Sequence, residues 1–212
     1  MKLHGRILLL LSLFCLASHA KPTRFEVKDA AFRNLISWIS DAPLEKTLAT
    51  SHFISGWFEV DPQNLIAGIK GEMEIDVRAF EMGPGSRQVK IRDTVLSAQE
   101  NPGALYKMDK LYDASASELA PGKAVTAKVS GMLFARGVLR RQEMQLKAVY
   151  HSESERTKRR LTGNLLKVSA YFDLVLADYK CPIPEGMDGI FAPVLKVSAD
   201  VLGTDQLPIA AP

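Results

Sequence analysis

The stretch Ile69-Lys70-Gly71-Glu72-Met73-Glu74-Ile75-Asp76-Val77-Arg78 puts an apolar residue or glycine at every odd position and a charge at every even one. Successive side chains of a strand point to opposite faces, so this pattern makes one dry face and one ionised face. Wound into a helix, the same charges would surround the cylinder and leave no apolar stripe to bury. The spacing therefore predicts a β-strand over 69–78 with water on one side. The rest of the chain must supply whatever covers the other side.

Working outward, most of the chain repeats that two-residue rhythm. Short strands are expected at Thr23–Val27 and over 34–40, and a long extended element over 44–60. Gly56 lies inside that element, where an isolated glycine marks a bulge or bend. Asp61-Pro62-Gln63-Asn64 reads as a turn. After Gly83-Pro84-Gly85, Ser86 is placed to cap a short helix over 87–97, with Val89, Val95 and Leu96 apolar. Further strands follow over 105–113, through Val125, Ala127, Val129, Gly131 and Leu133, through Met144, Leu146, Ala148 and Tyr150, and over 161–174 and 194–201. Gly137 turns one hairpin and the polar run 151–160 ends another. The total is eight or nine strands and one clear helix, without the alternation of strand and helix that a parallel sheet needs.

The N-terminus is of another kind. Lys2 and Arg6 precede an apolar run over 7–17, and Ser18-His19-Ala20 offers small residues for cleavage. That run is too short to span a bilayer and reads as an export signal, residues 1–20. Phe14 is too bulky to precede a lipidated Cys15. Removing 20 of 212 residues leaves 192, a length that suits one all-β domain, expected over 21–203 with a disordered tail over 204–212. Losing Lys2 and Arg6 takes the formal charge from +3 to +1, which gives nucleic acid no electrostatic hold. Only Cys181 survives processing, so no internal disulfide forms. It reads as a packed thiol, with an intermolecular disulfide as the other reading.

Strands with one wet and one dry face fit either a two-sheet sandwich or a single sheet closed on itself, and periodicity does not separate them. A barrel of about eight strands would be just wide enough to fill with side chains or to hold one slim ligand. The apolar positions Phe58, Met73, Ile75, Val77, Leu133 and Phe172 face that interior, as a channel lining or as an ordinary core.

Chemistry-bearing patterns are sparse. Past residue 20 the histidines are His52 and His151, neither with a second ligand at metal spacing. The sequence has no Gly-x-Ser-x-Gly, no His-Glu-x-x-His and no paired cysteine, so no catalytic residue, metal or cofactor is assigned. Arg92-Asp93 is the polar pair of interest. Either Arg92 holds a ligand's head near the barrel mouth, or the pair fixes the helix to the wall, which is the commoner role of such pairs. Arg156-Thr157-Lys158-Arg159-Arg160 is a basic cluster that would lean transiently on a membrane surface or stand solvated, with Glu153 and Glu155 partly cancelling it.

Several stretches together resemble the YceI-like family of exported lipid-binding proteins. These are Asp41-Ala42-Pro43-Leu44-Glu45 followed by Ser55-Gly56-Trp57-Phe58; Ile91-Arg92-Asp93 with Leu96; Asn101-Pro102; the hairpin Val129-Ser130-Gly131-Met132-Leu133-Phe134-Ala135-Arg136-Gly137; and the strand after Gly189-Ile190. The likeness spans nearly all of 21–203. Thr94-Val95 stands where the family often has a histidine, and Tyr179-Lys180-Cys181-Pro182-Ile183-Pro184 brings its own thiol. The resemblance implies an all-β, lipocalin-like antiparallel barrel of about eight strands with one or two short helices. It implies no enzyme, but a periplasmic or secreted carrier with a polyisoprenoid or fatty-acid-like lipid inside. Phe58, Met73, Ile75, Val77, Arg92, Leu133 and Phe172 would contact that lipid. The alternative is a structural or stress-related interaction protein with a filled barrel, paired as a homodimer through an exposed strand or Cys181. An unrecognised hydrolase is the third reading.

Overall fold

The alternating stretch forms strand β5, Ile69–Asp76, in the computed structural model, which describes residues 22–83, 86–183 and 185–206. Gly71 and Met73 are buried, while Lys70 and Glu74 face out and Glu72 pairs with Lys107 at 3.1 Å. The strand stops two residues earlier than its pattern predicts. The Asp76 carboxylate accepts the Arg78 amide at 3.0 Å and the Arg78 guanidinium at 2.8 and 3.0 Å. This local bonding competes with the ladder and winds Val77–Ala79 into a 3-10 turn.

Ten strands make eight staves. Strands β1 (Thr23–Val27), β4 (Ile54–Val60), β5, β6 (Gly103–Tyr112), β7 (Ala124–Ala135), β8 (Val138–His151), β9 (Leu165–Val175) and β10 (Val194–Thr204) pair antiparallel in that order. The pairing of Glu26 with Thr204 closes the ring. The two remaining strands, β2 (Leu35–Asp41) and β3 (Lys46–Ser51), prolong β1 and β4. Leu35 lies opposite Asp200 on the same edge of β10 that Glu26 uses, and β3 pairs with β2 as β4 pairs with β1. The result is a closed eight-stranded antiparallel barrel with two extra strands, so the sandwich alternative is excluded.

Some boundaries differ from the sequence expectations. The extended element over 44–60 breaks at His52-Phe53 and not at Gly56, which stays in the ladder opposite Val27 and Met73. His52 Nδ1 bonds the Asn34 carbonyl oxygen at 2.8 Å, and the Asn34 side chain accepts the Leu202 amide at 3.0 Å. The break is thus held by polar groups that hydrophobic periodicity does not report.

The helix expected over 87–97 is α1 (Ser86–Lys90) followed by a wide π turn, Ile91–Val95. Ile91 and Val95 are fully buried, whereas Val89 faces out. The turn at Pro84-Gly85 and the Ser86 side chain lie outside the described residues. A second helical turn, α2 (Glu155–Lys158), sits in the polar run and is capped reciprocally by Ser154 and Thr157.

β10 runs three residues beyond Val201. The buried Thr204 hydroxyl donates to the Thr162 carbonyl, and Asp205 accepts from the Asn164 amide and side chain at 2.8 and 2.7 Å. Ordered chain therefore continues past residue 203, the expected limit of the domain. Residues 1–21 and 207–212, which carry the expected export signal and most of the expected tail, lie outside the described residues.

The β1–β2 connection is tied to the α2 hairpin. Asp29, almost fully buried, takes Arg33 Nε at 2.7 Å and faces Arg160 at 3.7 Å. Near this end aromatic rings pack together on the interior face. The rings of Phe25 and Phe58 lie 5.8 Å apart, with the Tyr150 ring edge-on to Phe25 at 6.4 Å. Gly203 makes room for them, since a β-carbon there would stand 2.8 Å from the Phe58 ring.

Candidate ligand-binding site

The inward faces of the staves enclose two chambers of about 110 Å³ each. Phe58, Met73, Met108, Met144 and Leu146 line the first chamber, with Tyr106. Trp38, Val77, Phe80, Tyr179 and Cys181 line the second, with Arg136. Ile36, Ile75, Leu133 and Phe172 border both, so the chambers share a waist along one interior.

Six of the seven expected contact residues line this interior. Phe58 and Met73 belong to the first chamber, Val77 to the second, and Ile75, Leu133 and Phe172 to the waist. Arg92 lines neither. It sits on the π turn with its Nε 3.1 Å from Asp93 Oδ1 and its side chain one-quarter exposed. The pair is a local contact on the helical cover, and the inward residues of that turn are Ile91 and Val95.

The polar residues that do reach the interior come from distant parts of the chain. In the first chamber, the Tyr106 hydroxyl donates to the Gln142 carbonyl at 3.1 Å. Burial, with the Asp109 charge adding to it, holds that hydroxyl protonated far above the ordinary range. In the second, Arg136 donates to Ser97 Oγ from Nε at 3.1 Å and from Nη2 at 2.9 Å. Burial pushes the Cys181 thiol up, against the lowering effect of Arg136, and its Sγ lies 3.7 Å from the Tyr179 carbonyl. A buried thiol of raised pKa is a poor partner for an intermolecular disulfide. Burial and the Asp178 charge push Tyr179 up to about 12. Sequence reading placed Arg136 only in a hairpin turn and Trp38 only in a strand. Strand register and loop return bring them together, and no local pattern signals that.

The two ends of the barrel are covered differently. At the first chamber, Leu65 and Leu119 close the interior. Their loops are laced by the Leu65 amide to the Ser117 carbonyl at 2.8 Å and the Leu119 amide to the Pro62 carbonyl at 2.7 Å. At the second, the helical cover over 86–95 and the 3-10 turn Leu176–Tyr179 lie across the staves.

Among the described residues no group of three metal-ligating side chains gathers, and no helix is long and apolar enough to cross a membrane. In the basic cluster, Lys158 is paired with Glu155 and Glu153 and Arg160 faces Asp29, while Arg156 and Arg159 are exposed.

The closed barrel with its helical cover has counterparts among solved structures. BcnA from Burkholderia cenocepacia superposes with a TM-score of 0.63 at 15% identity, over 81% of this chain and 97% of its own. A YceI protein from Campylobacter jejuni gives 0.59 at 13% identity, over 75% and 85%. The fold is that of the YceI proteins. A polyisoprenoid-binding domain from Saccharophagus degradans, implicated in plant cell wall breakdown, shares the YceI-like fold with a TM-score of 0.60 at 16% identity, over 86% of this chain and 98% of its own. No family model and no curated protein matches the sequence. These structural neighbours are YceI-like and binding-domain proteins.

Proposed function

We propose that this YceI-like barrel is an exported, non-enzymatic carrier that holds a long-chain amphiphile in its interior. One observation carries the reading: the two chambers form a single, almost wholly apolar line from the Leu65–Leu119 end to the Trp38–Tyr179 end. That shape matches a flexible hydrocarbon chain and offers no cluster of polar groups for chemistry. The polyisoprenoid-binding neighbour of the same fold supports a lipid, and the N-terminal basic and apolar segments support export to the periplasm or beyond.

Size sets a condition on binding. Ligand pockets commonly span about 300–1,000 Å³, more than the two chambers hold together. A chain ligand therefore enters by displacing side chains. Met73, Met108 and Met144 line the first chamber, and unbranched thioether side chains repack at low cost. Arg156 and Arg159, exposed on the α2 hairpin, are placed for brief contact with anionic headgroups during loading.

The small chambers are also the one observation that favours a second reading, a filled barrel acting as an interaction protein. Native mass spectrometry of residues 21–212, purified without detergent from cells rich in membrane lipid, decides between them. A discrete adduct that extracts into organic solvent supports the carrier. A clean protein mass that persists after incubation with polyisoprenoids and fatty acids overturns it.

A further inference from the structure

We propose that Phe32 and Phe53 form the apolar half of a docking face whose charged half is the α2 hairpin, and that its partner is an anionic bilayer. The proposal takes its purpose, the loading of lipid, from the carrier reading. The starting observation is two phenyl rings left in water. Phe32 is 55% exposed and Phe53 52%, and their rings lie 5.1 Å apart, so the β1–β2 connection and the break at His52-Phe53 share one apolar patch. Phe32 holds φ 50°, a left-handed conformation that a bulky residue adopts at a cost. Asparagine would sit there with less strain and leave no ring exposed. Folding alone therefore gives little reason for phenylalanine at this position.

Direct bonds tie this patch to the basic hairpin. Arg33, next in the chain to Phe32, donates from Nη2 to the Arg160 carbonyl at 3.1 Å and from Nε to Asp29 at 2.7 Å. The same Asp29 carboxylate, 1% exposed, stands 3.7 Å from Arg160 Nη2, so one buried acid pins the two segments together. Between them the segments carry six cations, Lys28, Arg33, Arg156, Lys158, Arg159 and Arg160, against the three carboxylates of Asp29, Glu153 and Glu155. Lys28, Arg156 and Arg159 are exposed, and no carboxylate pairs with any of them among the described residues. Exposed rings beside free cations match the two terms that hold a protein at a bilayer surface: apolar side chains entering the headgroup boundary and attraction to anionic lipid. A dissolved anion would use the cations and leave the rings wet. The hairpin also adjoins the first-chamber end. The Gly122 amide, on the loop that follows Leu119, donates to the Tyr150 carbonyl at 2.8 Å, one residue before β8 ends. Docking through this hairpin therefore brings the bilayer next to the Leu65–Leu119 closure.

The test is co-sedimentation of residues 21–212 with vesicles of equal parts phosphatidylglycerol and phosphatidylcholine, and with vesicles of phosphatidylcholine alone. At low salt, binding to the mixed vesicles should exceed binding to the neutral ones by at least about tenfold. Arg156→Gln combined with Arg159→Gln should weaken it by about thirtyfold and flatten its salt dependence. Phe32→Asn should weaken it by about fivefold, the worth of withdrawing roughly half a ring from water, and keep the salt dependence. Because that change relieves the backbone, the variant should melt no lower than the parent. Ile66→Ser is the control: Ile66 is 84% exposed, but on the Leu65–Ala67 turn, which bonds Ser117 and not the hairpin. It should bind as the parent does. No binding, equal binding to both kinds of vesicle, hairpin and ring variants that bind like the parent, or loss of binding in Ile66→Ser would each overturn this docking face and leave the carrier standing. The carrier reading fails separately, on a clean native mass after incubation with lipid.

Discussion

Gly56 lies so close to Glu72 that a β-carbon on it would sit 2.0 Å from the Glu72 carbonyl oxygen and 2.9 Å from the Met73 α-carbon. Backbone does not yield as a side-chain tip does, and the φ of 150° at Gly56 is itself one that other residues rarely adopt. Gly56→Ala should therefore cost about 3 kcal/mol or more and lower the melting temperature by roughly 10 °C for a domain of this size. Gly103→Ala is the control, because its β-carbon would meet nothing nearer than 4.0 Å and its φ is ordinary. That variant should stay within about 0.5 kcal/mol of the parent by urea denaturation.

The same glycine shows what sequence can and cannot convey. An isolated Gly in a strand pattern announces a close approach, and Gly56 delivers one. It does not announce which backbone approaches, because Glu72 is set by the β4–β5 register. Period-two alternation exposed the dry faces of β5, β7, β8 and β10, and with them chamber residues such as Met73, Ile75, Leu133 and Met144. It missed the break at His52-Phe53, where His52 bonds the Asn34 carbonyl and which carries no hydrophobic signal. Arg92 stands out in the sequence beside an acid, and that acid is what holds it on the helical cover. The β7–β8 turn explains Arg136 locally, and Trp38 and Tyr179 join it around the second chamber only through tertiary return of the chain.

The Leu65–Leu119 closure should be the weak end of the barrel. The two loops are joined by the Leu65 amide to Ser117 and the Leu119 amide to Pro62, whereas Val129 and Leu133 lie within the continuous β7 ladder between β6 and β8. Segments held by few bonds open locally, at lower free energy than core strands. Hydrogen exchange should find the Leu65 and Leu119 amides at least about a hundredfold faster than the best-protected amides of β7. Equal protection would mean that this end does not open ahead of the rest, and ligand entry would have to be sought elsewhere.

Alkaline pH should destabilise the fold through its buried tyrosines. Burial pushes Tyr179 up to about 12 from an ordinary 10.0, and Tyr106 is raised further by the same cause. The folded state keeps these protons while the unfolded chain gives them up, so deprotonation favours unfolding. Stability from this source is constant below about pH 10 and falls between about 10 and 12, by up to about 1.4 kcal/mol per pH unit for each group. Urea midpoints across that window should fall more steeply in the parent than in Tyr179→Phe. Parallel lines for the two proteins would contradict the assigned burial of the hydroxyl.

The waist should set which chains fit. Ile36, Ile75, Leu133 and Phe172 border both chambers, and Leu133 is only 5% exposed, so a larger side chain there has no outward escape. Leu133→Phe should cost about 1–3 kcal/mol from overpacking and narrow the passage. Leu133→Ala should cost about 2–5 kcal/mol and widen it. If the ligand lies along both chambers, the Phe variant should lose palmitate in native mass spectrometry while keeping decanoate, and the Ala variant should keep both. The two variants must first be shown to melt cooperatively, so that loss of ligand is not loss of fold. Undiminished palmitate on the Phe variant would mean that the chain does not pass between these four residues, and the interior would hold its ligand in one chamber alone.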